Sequence, residues 1–189
     1  FWPKTPYCEG KSNTERNSSM SEKISLKIDG APSLEELQAA GMLPSVEELE
    51  RKACVCIECI EEIPCNPCET SCSQNAISVG LPITNLPVID REKCTACGLC
   101  IPACPGLAIT IKSIQGDKAR IRFPWEYLPM PNRGERVAMV DRMGEVRCEG
   151  LIISTQNIAR NNRTAVVTAE FSKEFVQEIV SMRRLHEEL

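Results

Sequence analysis

Residues 94–105 read Cys94-Thr95-Ala96-Cys97-Gly98-Leu99-Cys100-Ile101-Pro102-Ala103-Cys104-Pro105, an unbroken C-x2-C-x2-C-x3-C-P run. Three thiolates at this spacing can wrap one iron–sulfur cubane from a tight loop. The fourth reaches away and ligates the other cluster of a two-cluster protein. Gly98 lets the backbone approach the sulfurs, whose charge N–H donors relieve. Pro105 ends the ligand loop and turns the chain away.

A fourth cysteine of this kind demands a second copy, and one lies upstream. Cys65-Asn66-Pro67-Cys68-Glu69-Thr70-Ser71-Cys72 supplies C-x2-C-x3-C, the last three ligands of the motif. The copies agree beyond the cysteines. Cys72-Ser73-Gln74-Asn75-Ala76-Ile77 parallels Cys104-Pro105-Gly106-Leu107-Ala108-Ile109, with an Ala-Ile pair at the same offset, as expected of a duplicated unit. The first ligand of this copy departs from pattern, because strict spacing puts it at Glu62. An insertion would make it Cys59. Cys56 is the rival, lying farther back in an apolar run, Cys54-Val55-Cys56-Ile57, that reads as a strand entering the loop like Pro87–Asp90 before Cys94.

The chain has 189 residues, 12 cysteines and 1 histidine, with a formal net charge of −4. One histidine excludes a Rieske centre and the His-rich zinc sites, and would leave a Ser-His-Asp enzyme resting on His186 alone. No signal-type apolar stretch opens the chain and no run approaches the roughly 20 apolar residues of a bilayer span. The expectation is therefore a cytoplasmic protein without membrane insertion, whose thiols are kept reduced for metal rather than disulfides. Residues 22–74 hold 11 acidic and 4 basic side chains, which gives no support for a nucleic-acid partner. A zinc site from Cys65-x2-Cys68 and Cys94-x2-Cys97 would need an unusually wide gap and leave the other cysteines unexplained.

These residues resemble a bacterial-type ferredoxin with two 4Fe–4S clusters, over about residues 53–112. In that family ligands are cross-shared. The resemblance implies one cluster on Cys59, Cys65, Cys68 and Cys104, and another on Cys94, Cys97, Cys100 and Cys72. Ile57-Glu58-Cys59 with Glu61-Glu62-Ile63-Pro64-Cys65-Asn66-Pro67-Cys68-Glu69, and the later Thr164-Ala165-Val166-Val167-Thr168, resemble something narrower. They look like the iron–sulfur subunits of anaerobes that accompany FAD-dependent dehydrogenases of the proline and hydroxyproline kind. That implies an FAD-containing partner subunit in a hetero-oligomer.

Eight thiolates close both cubanes, no iron is left open to substrate, and no catalytic residue is evident, so electron transfer rather than substrate chemistry is expected. Neither a G-x-G-x-x-G after a strand nor a P-loop is present, which puts any flavin on another chain. Two oxidised clusters with their thiolates would move the formal charge from −4 to about −8. Glu58, Glu61, Glu62 and Glu69 would lower the potential of the first cluster, or simply face solvent. The alternatives are an iron–sulfur subunit of another anaerobic redox complex, of hydrogenase or formate-dehydrogenase type, and a metal-stapled interaction module. Cys54, Cys56 and Cys148 read as structural thiols, and Cys8 has no reading.

The expected fold is α+β, in three parts. Residues 1–52 form an extension with short helices, residues 53–112 the two-cluster domain, and residues 113–189 a small β-rich, barrel-like domain ending in a helix. Within the extension, Met20 is a candidate native start. Residues 1–22 are polar and would pack on a neighbouring subunit. Ile24, Leu26 and Ile28 alternate like a short strand. Ser33-x-x-Glu36 and Ser45-x-x-Glu48 are capping boxes. In the last part, β-rich runs at 108–112, 119–123, 136–141, 147–154 and 164–171 are separated by turn residues. Ser172 opens a final helix with Phe175, Val176, Ile179, Val180 and Met182 at helical spacing. Phe123–Pro129 gathers aromatics between prolines, either to dock a partner or to close the end of a barrel. Arg133, Arg136, Arg142 and Arg147 read as a solvated basic face.

Overall fold

The fold is described from a computed structural model, for residues 25–184. Cys8, His186, Met20 and Ile24 lie outside the described residues, as does the polar stretch 1–22.

The chain is α+β, and its body is one antiparallel sheet. In chain order the strands are β1 (Cys54–Ile57), β2 (Ile77–Ser78), β3 (Val88–Ile89), β4 (Ile109–Gln115), β5 (Lys118–Trp125), β6 (Arg136–Val140), β7 (Val146–Gln156), β8 (Ala165–Ser172) and β9 (Ser181–Met182). Seven of them form the order β1-β4-β5-β8-β7-β6-β9, while β2 and β3 pair separately. Alternate residues of the long strands point to one side. Ala119, Ile121, Phe123 and Trp125 of β5 meet Ala165, Val167, Ala169 and Phe171 of β8, joined by Met139 and Ile152. The core lies against this sheet, whose order is linear, ending at β1 and β9. The five β-rich runs are all present. The barrel-like domain expected at 113–189 is instead part of an open sheet that β1 also joins. Strand β4 carries the chain across the expected 112/113 boundary.

Both capping boxes form. Ser33 and Glu36 exchange hydrogen bonds of 2.8 and 3.1 Å at the start of α2 (Leu34–Ala39). Ser45 and Glu48 do so at the start of α3 (Val46–Arg51). These short helices persist because Leu37 and Leu49 are buried in the two cores.

Two expectations are corrected. The alternation at Leu26 and Ile28 is not a strand but a single helical turn, α1 (Leu26–Asp29). The Asp29 carboxylate accepts the Ser25 N–H at 2.8 Å, and Gly30, at φ 73°, ends the turn. With no strand beside them among the described residues, Leu26 and Ile28 have no ladder to hold them extended. Nor is the final helix formed among the described residues after Ser172. Beyond Ser172 a 3-10 turn at Lys173–Phe175 leads into β9, whose ladder with β6 includes Met139↔Met182. Val180 N–H donates to the Val140 carbonyl at 3.0 Å and Arg183 N–H to Ala138 at 2.8 Å. The apolar spacing was real, since Val176, Ile179 and Met182 are buried. The edge of β6 takes this backbone into a ladder in place of a helix.

The cysteine-rich segment leaves and re-enters the sheet at one place. Strands β1 and β4 pair with Ile57 opposite Ile109, and Glu58 N–H donates to the Ala108 carbonyl at 2.8 Å. Everything between is one excursion, closed at its neck by that ladder.

Candidate metal centre

The excursion is a duplicated unit in three dimensions. Its halves carry α4 (Pro67–Thr70) and α5 (Cys100–Ala103). After α4, Asn75 adopts φ 49° and its N–H donates to the Cys72 carbonyl at 3.1 Å. After α5, Leu107 adopts φ 52° and its N–H donates to the Cys104 carbonyl at 3.1 Å. In the first half Ala76 accepts from Asp90 N–H at 2.8 Å, and in the second Ala108 accepts from Glu58 at 2.8 Å. The Ala-Ile pairs seen in the sequence thus begin equivalent strands, β2 and β4.

The halves exchange their last cysteines. Cys59, Cys65, Cys68 and Cys104 line one pocket together with Ile57, Ile63 and Ile109. Burial pushes the Cys59 thiol up, and neighbouring Cys104 and Cys65 add to it. Cys68 is raised by burial and by the same two neighbours, against N–H donors of Glu69 and its own residue. On the other side, burial pushes the Cys100 thiol up to about 12, with Cys94, Cys97 and Cys72 as its thiol neighbours. Cys72 is desolvated, but N–H groups of Ala76, Gln74, Ile77 and Asn75 outweigh this and lower its pKa. The Ala76 N–H lies 3.2 Å from Cys72 Sγ.

The remaining cysteines sit elsewhere. Cys56 is fully buried within β1, opposite Thr110, and its thiol is pushed up to about 11 by desolvation. Cys54 is buried and its thiol points at the Lys52 and Glu48 carbonyls, 3.5 and 3.9 Å away. Cys148 is half-buried against the sheet core. Among the described residues no three Cys, His, Asp or Glu side chains converge as they would on a single ion. Two sets of four thiols, each spread around a pocket or loop, suit a cluster with sulfurs at its corners better than a zinc ion.

The surroundings differ between the sets. Glu58 is neutralised: its carboxylate takes two hydrogen bonds, 2.7 and 2.8 Å, from the Arg142 guanidinium, with both side chains about one-tenth exposed. Glu61 and Glu62 are exposed, and Glu69 accepts the Gly80 N–H at 3.4 Å. At the other set stands Arg122 of β5, whose guanidinium donates to the Ala96 carbonyl. Sequence reasoning missed it, because Arg120 and Arg122 alternate with core residues like any solvated face. Of the basic face expected there, Arg142 is buried in its ion pair, Arg147 pairs with Glu178 at 2.5 Å and Arg136 with Glu149. The aromatic segment closes the end of the sheet core. Phe123 and Trp125 are buried, and Tyr127 packs edge-on against Trp125 with centroids 5.2 Å apart. A cleft of about 350 Å³ beside Trp125 adjoins buried Thr110. Lys112 Nζ, on the same strand, has no hydrogen-bond partner among the described residues.

Comparison with known proteins agrees with the donor set. A 4Fe-4S binding domain is matched at residues 87–110. The chain is 39% identical over 62 residues to the polyferredoxin-like subunit of an aliphatic sulfonate oxidoreductase of Pyrococcus furiosus, covering 33% of each chain. It is 46% identical over 50 residues to one of the subunits of an ion-translocating oxidoreductase complex of Methanosarcina acetivorans, covering 26% of this chain and 18% of that one. An uncharacterized ferredoxin of Methanocaldococcus jannaschii is 38% identical over 55 residues, 29% of this chain and 34% of that one. The chain thus spans about a third or less of the curated relatives it matches. No solved structure gives a significant match. No helix of the described residues is long and apolar enough to cross a membrane. The chain carries a ferredoxin-type 4Fe–4S binding domain.

Proposed function

We propose that this chain is an electron-transfer iron–sulfur subunit of an oxidoreductase complex, holding two 4Fe–4S clusters. Cys59, Cys65, Cys68 and Cys104 bind one, and Cys94, Cys97, Cys100 and Cys72 bind the other. The observation that carries this reading is the exchange of the last cysteine between the two halves of the duplicated unit. When bound, such clusters accept and release single electrons. The chain's own part is to supply eight thiolates, screen them with backbone donors such as Ala76 N–H, and hold the two sets side by side. The partner, on the resemblance given above, is an FAD-containing dehydrogenase subunit in a hetero-oligomer, and its donor is an amine or amino acid of the proline type. The roles of two relatives, both subunits of oxidoreductases, support the coarser part of this reading.

Anaerobic purification with iron and sulfide analysis tests it. About eight of each per chain are expected, with absorbance that bleaches reversibly when a reduced flavoprotein is added. About two zinc ions and no visible absorbance, or irons inert to every flavin donor, would overturn it.

A further inference from the structure

Arg122 projects from the middle of β5, opposite Ile111 and Thr168, and reaches out of the sheet into the cysteine excursion. It meets the loop where the backbone is most contorted. Ala96 is at φ 52° and Gly98 at φ +90°, both left-handed. A Cβ on Gly98 would sit 3.2 Å from Arg122 Nη1, so the guanidinium lies directly against the loop. It donates to the Ala96 carbonyl, between Cys94 and Cys97. Burial lowers the Arg122 pKa, and Cys97, Cys100 and Cys94 are the groups that oppose this, in that order. The charged side chain acting on Cys59, in the other set, is an acid, Glu61.

We propose that Arg122 is a positioning residue that straps the Cys94–Cys100 loop to the sheet and makes the cluster there the higher-potential station of the two. The inference rests on the function proposed above. Reduction adds one negative charge to a cluster, so a fixed cation beside it favours the reduced form and a nearby carboxylate disfavours it. Half-buried, the guanidinium is less screened than a surface charge. One electron therefore passes from the Cys59 set, which is reoxidised, to the Cys94 set, which is reduced. No bond is made or broken and no proton moves, and the reductant is the reduced flavin of the partner. Electrons collect on the side held by Arg122, which is the exit.

The test is a redox titration of the full chain with its clusters, comparing wild type with R122M, R122K and E61Q at equal iron content. In R122M the higher midpoint falls by about 59 mV, a tenfold change in the one-electron equilibrium, and the lower stays, whereas a fall of the lower one would overturn the inference. R122K, which keeps the charge, recovers most of the fall. E61Q raises the other midpoint. If R122M holds less iron than wild type, R122Q is read in its place, since its amide removes the charge but still donates to Ala96. Unchanged potentials in an iron-replete neutral variant would overturn the inference. So would an R122K shift as large as that of R122M, or both midpoints moving together. A wild type without two reducible clusters would instead remove the proposed function itself.

Discussion

At the residue scale, the first ligand of the upstream set is the position that spacing left open. Cys56 and Cys59 are three residues apart, yet their surroundings are opposite. Cys56 is locked into a strand, opposite Thr110, with no accessible surface. Cys59 stands past the strand end, in the pocket with Cys65, Cys68 and Cys104. The expected outcome is that C59A loses about half of the bound iron, one cluster of two, while C56A keeps all of it. Iron and sulfide analysis of the two variants checks this. A second residue stands out for the opposite reason. Lys112 is 1% exposed and its ammonium has no hydrogen-bond partner among the described residues. Burial pulls its pKa below 10.5, against the opposing influence of Cys56 and Glu58. Below that lowered value the folded protein bears the full cost of a buried charge. Between it and 10.5 the unfolded chain holds a proton that the folded chain lacks, so stability rises with pH across that window. K112M is expected to be about 1–3 kcal/mol more stable than wild type at neutral pH, with the difference shrinking as pH approaches 10.5. Denaturation midpoints measured anaerobically at several pH values check both the size and the trend.

At the element scale, α2 and α3 were legible because their signals are local. A serine with a glutamate three residues on closes its hydrogen bonds whatever the rest of the chain does, as at Ser33 and Ser45. The strands of the sheet were legible through alternation, and their turns through Gly116 and Gly144, both at positive φ. The terminal segment was not, because three-residue spacing of Val176, Ile179 and Met182 fits a helix and a turn-plus-strand alike. A free edge on β6 decided between them. Within β7, Gly150 has a role no local signal reveals. A Cβ there would lie 2.6 Å from Met139 Cγ and 3.3 Å from the Glu170 carbonyl oxygen, and Met139 is fully buried. G150A is expected to lower stability by about 1–3 kcal/mol through overpacking, with the iron content unchanged. Chemical denaturation with parallel iron analysis checks it.

At the scale of the whole molecule, two cores share one wall. Cys54 and Ile114 of β1 and β4 pack into the core of the sheet. Val55, Ile57, Ile109 and Ile111 of the same strands face the core beneath the cysteine excursion. The excursion itself has only two four-residue helices and two two-residue strands, too little regular structure to stand without cross-links. The sheet has its own ladders and core. Removing the metal is therefore expected to abolish hydrogen-exchange protection across residues 58–107 while β5, β7 and β8 keep theirs. Exchange measured before and after chelation checks this, and equal loss in both regions would show a single cooperative unit.

What the sequence determined by itself is the chemistry: cysteines at cluster spacing, their duplication, and the strands and caps whose signals lie within a few residues. These follow from short-range geometry, because a ligand loop or a capping box closes over a few residues of chain. What only the tertiary structure decided depends on partners far away in the chain. The end of β1 against β4 leaves Cys56 inside the sheet and Cys59 past it, in the pocket with Cys65, Cys68 and Cys104. Glu58 lost its free charge to Arg142, 84 residues on. Arg122 became a neighbour of the cysteines through the Ala96 carbonyl, 26 residues back in the chain. Charge compensation, burial and edge pairing act between surfaces that meet only on folding, and no local pattern of residues encodes which surfaces will meet.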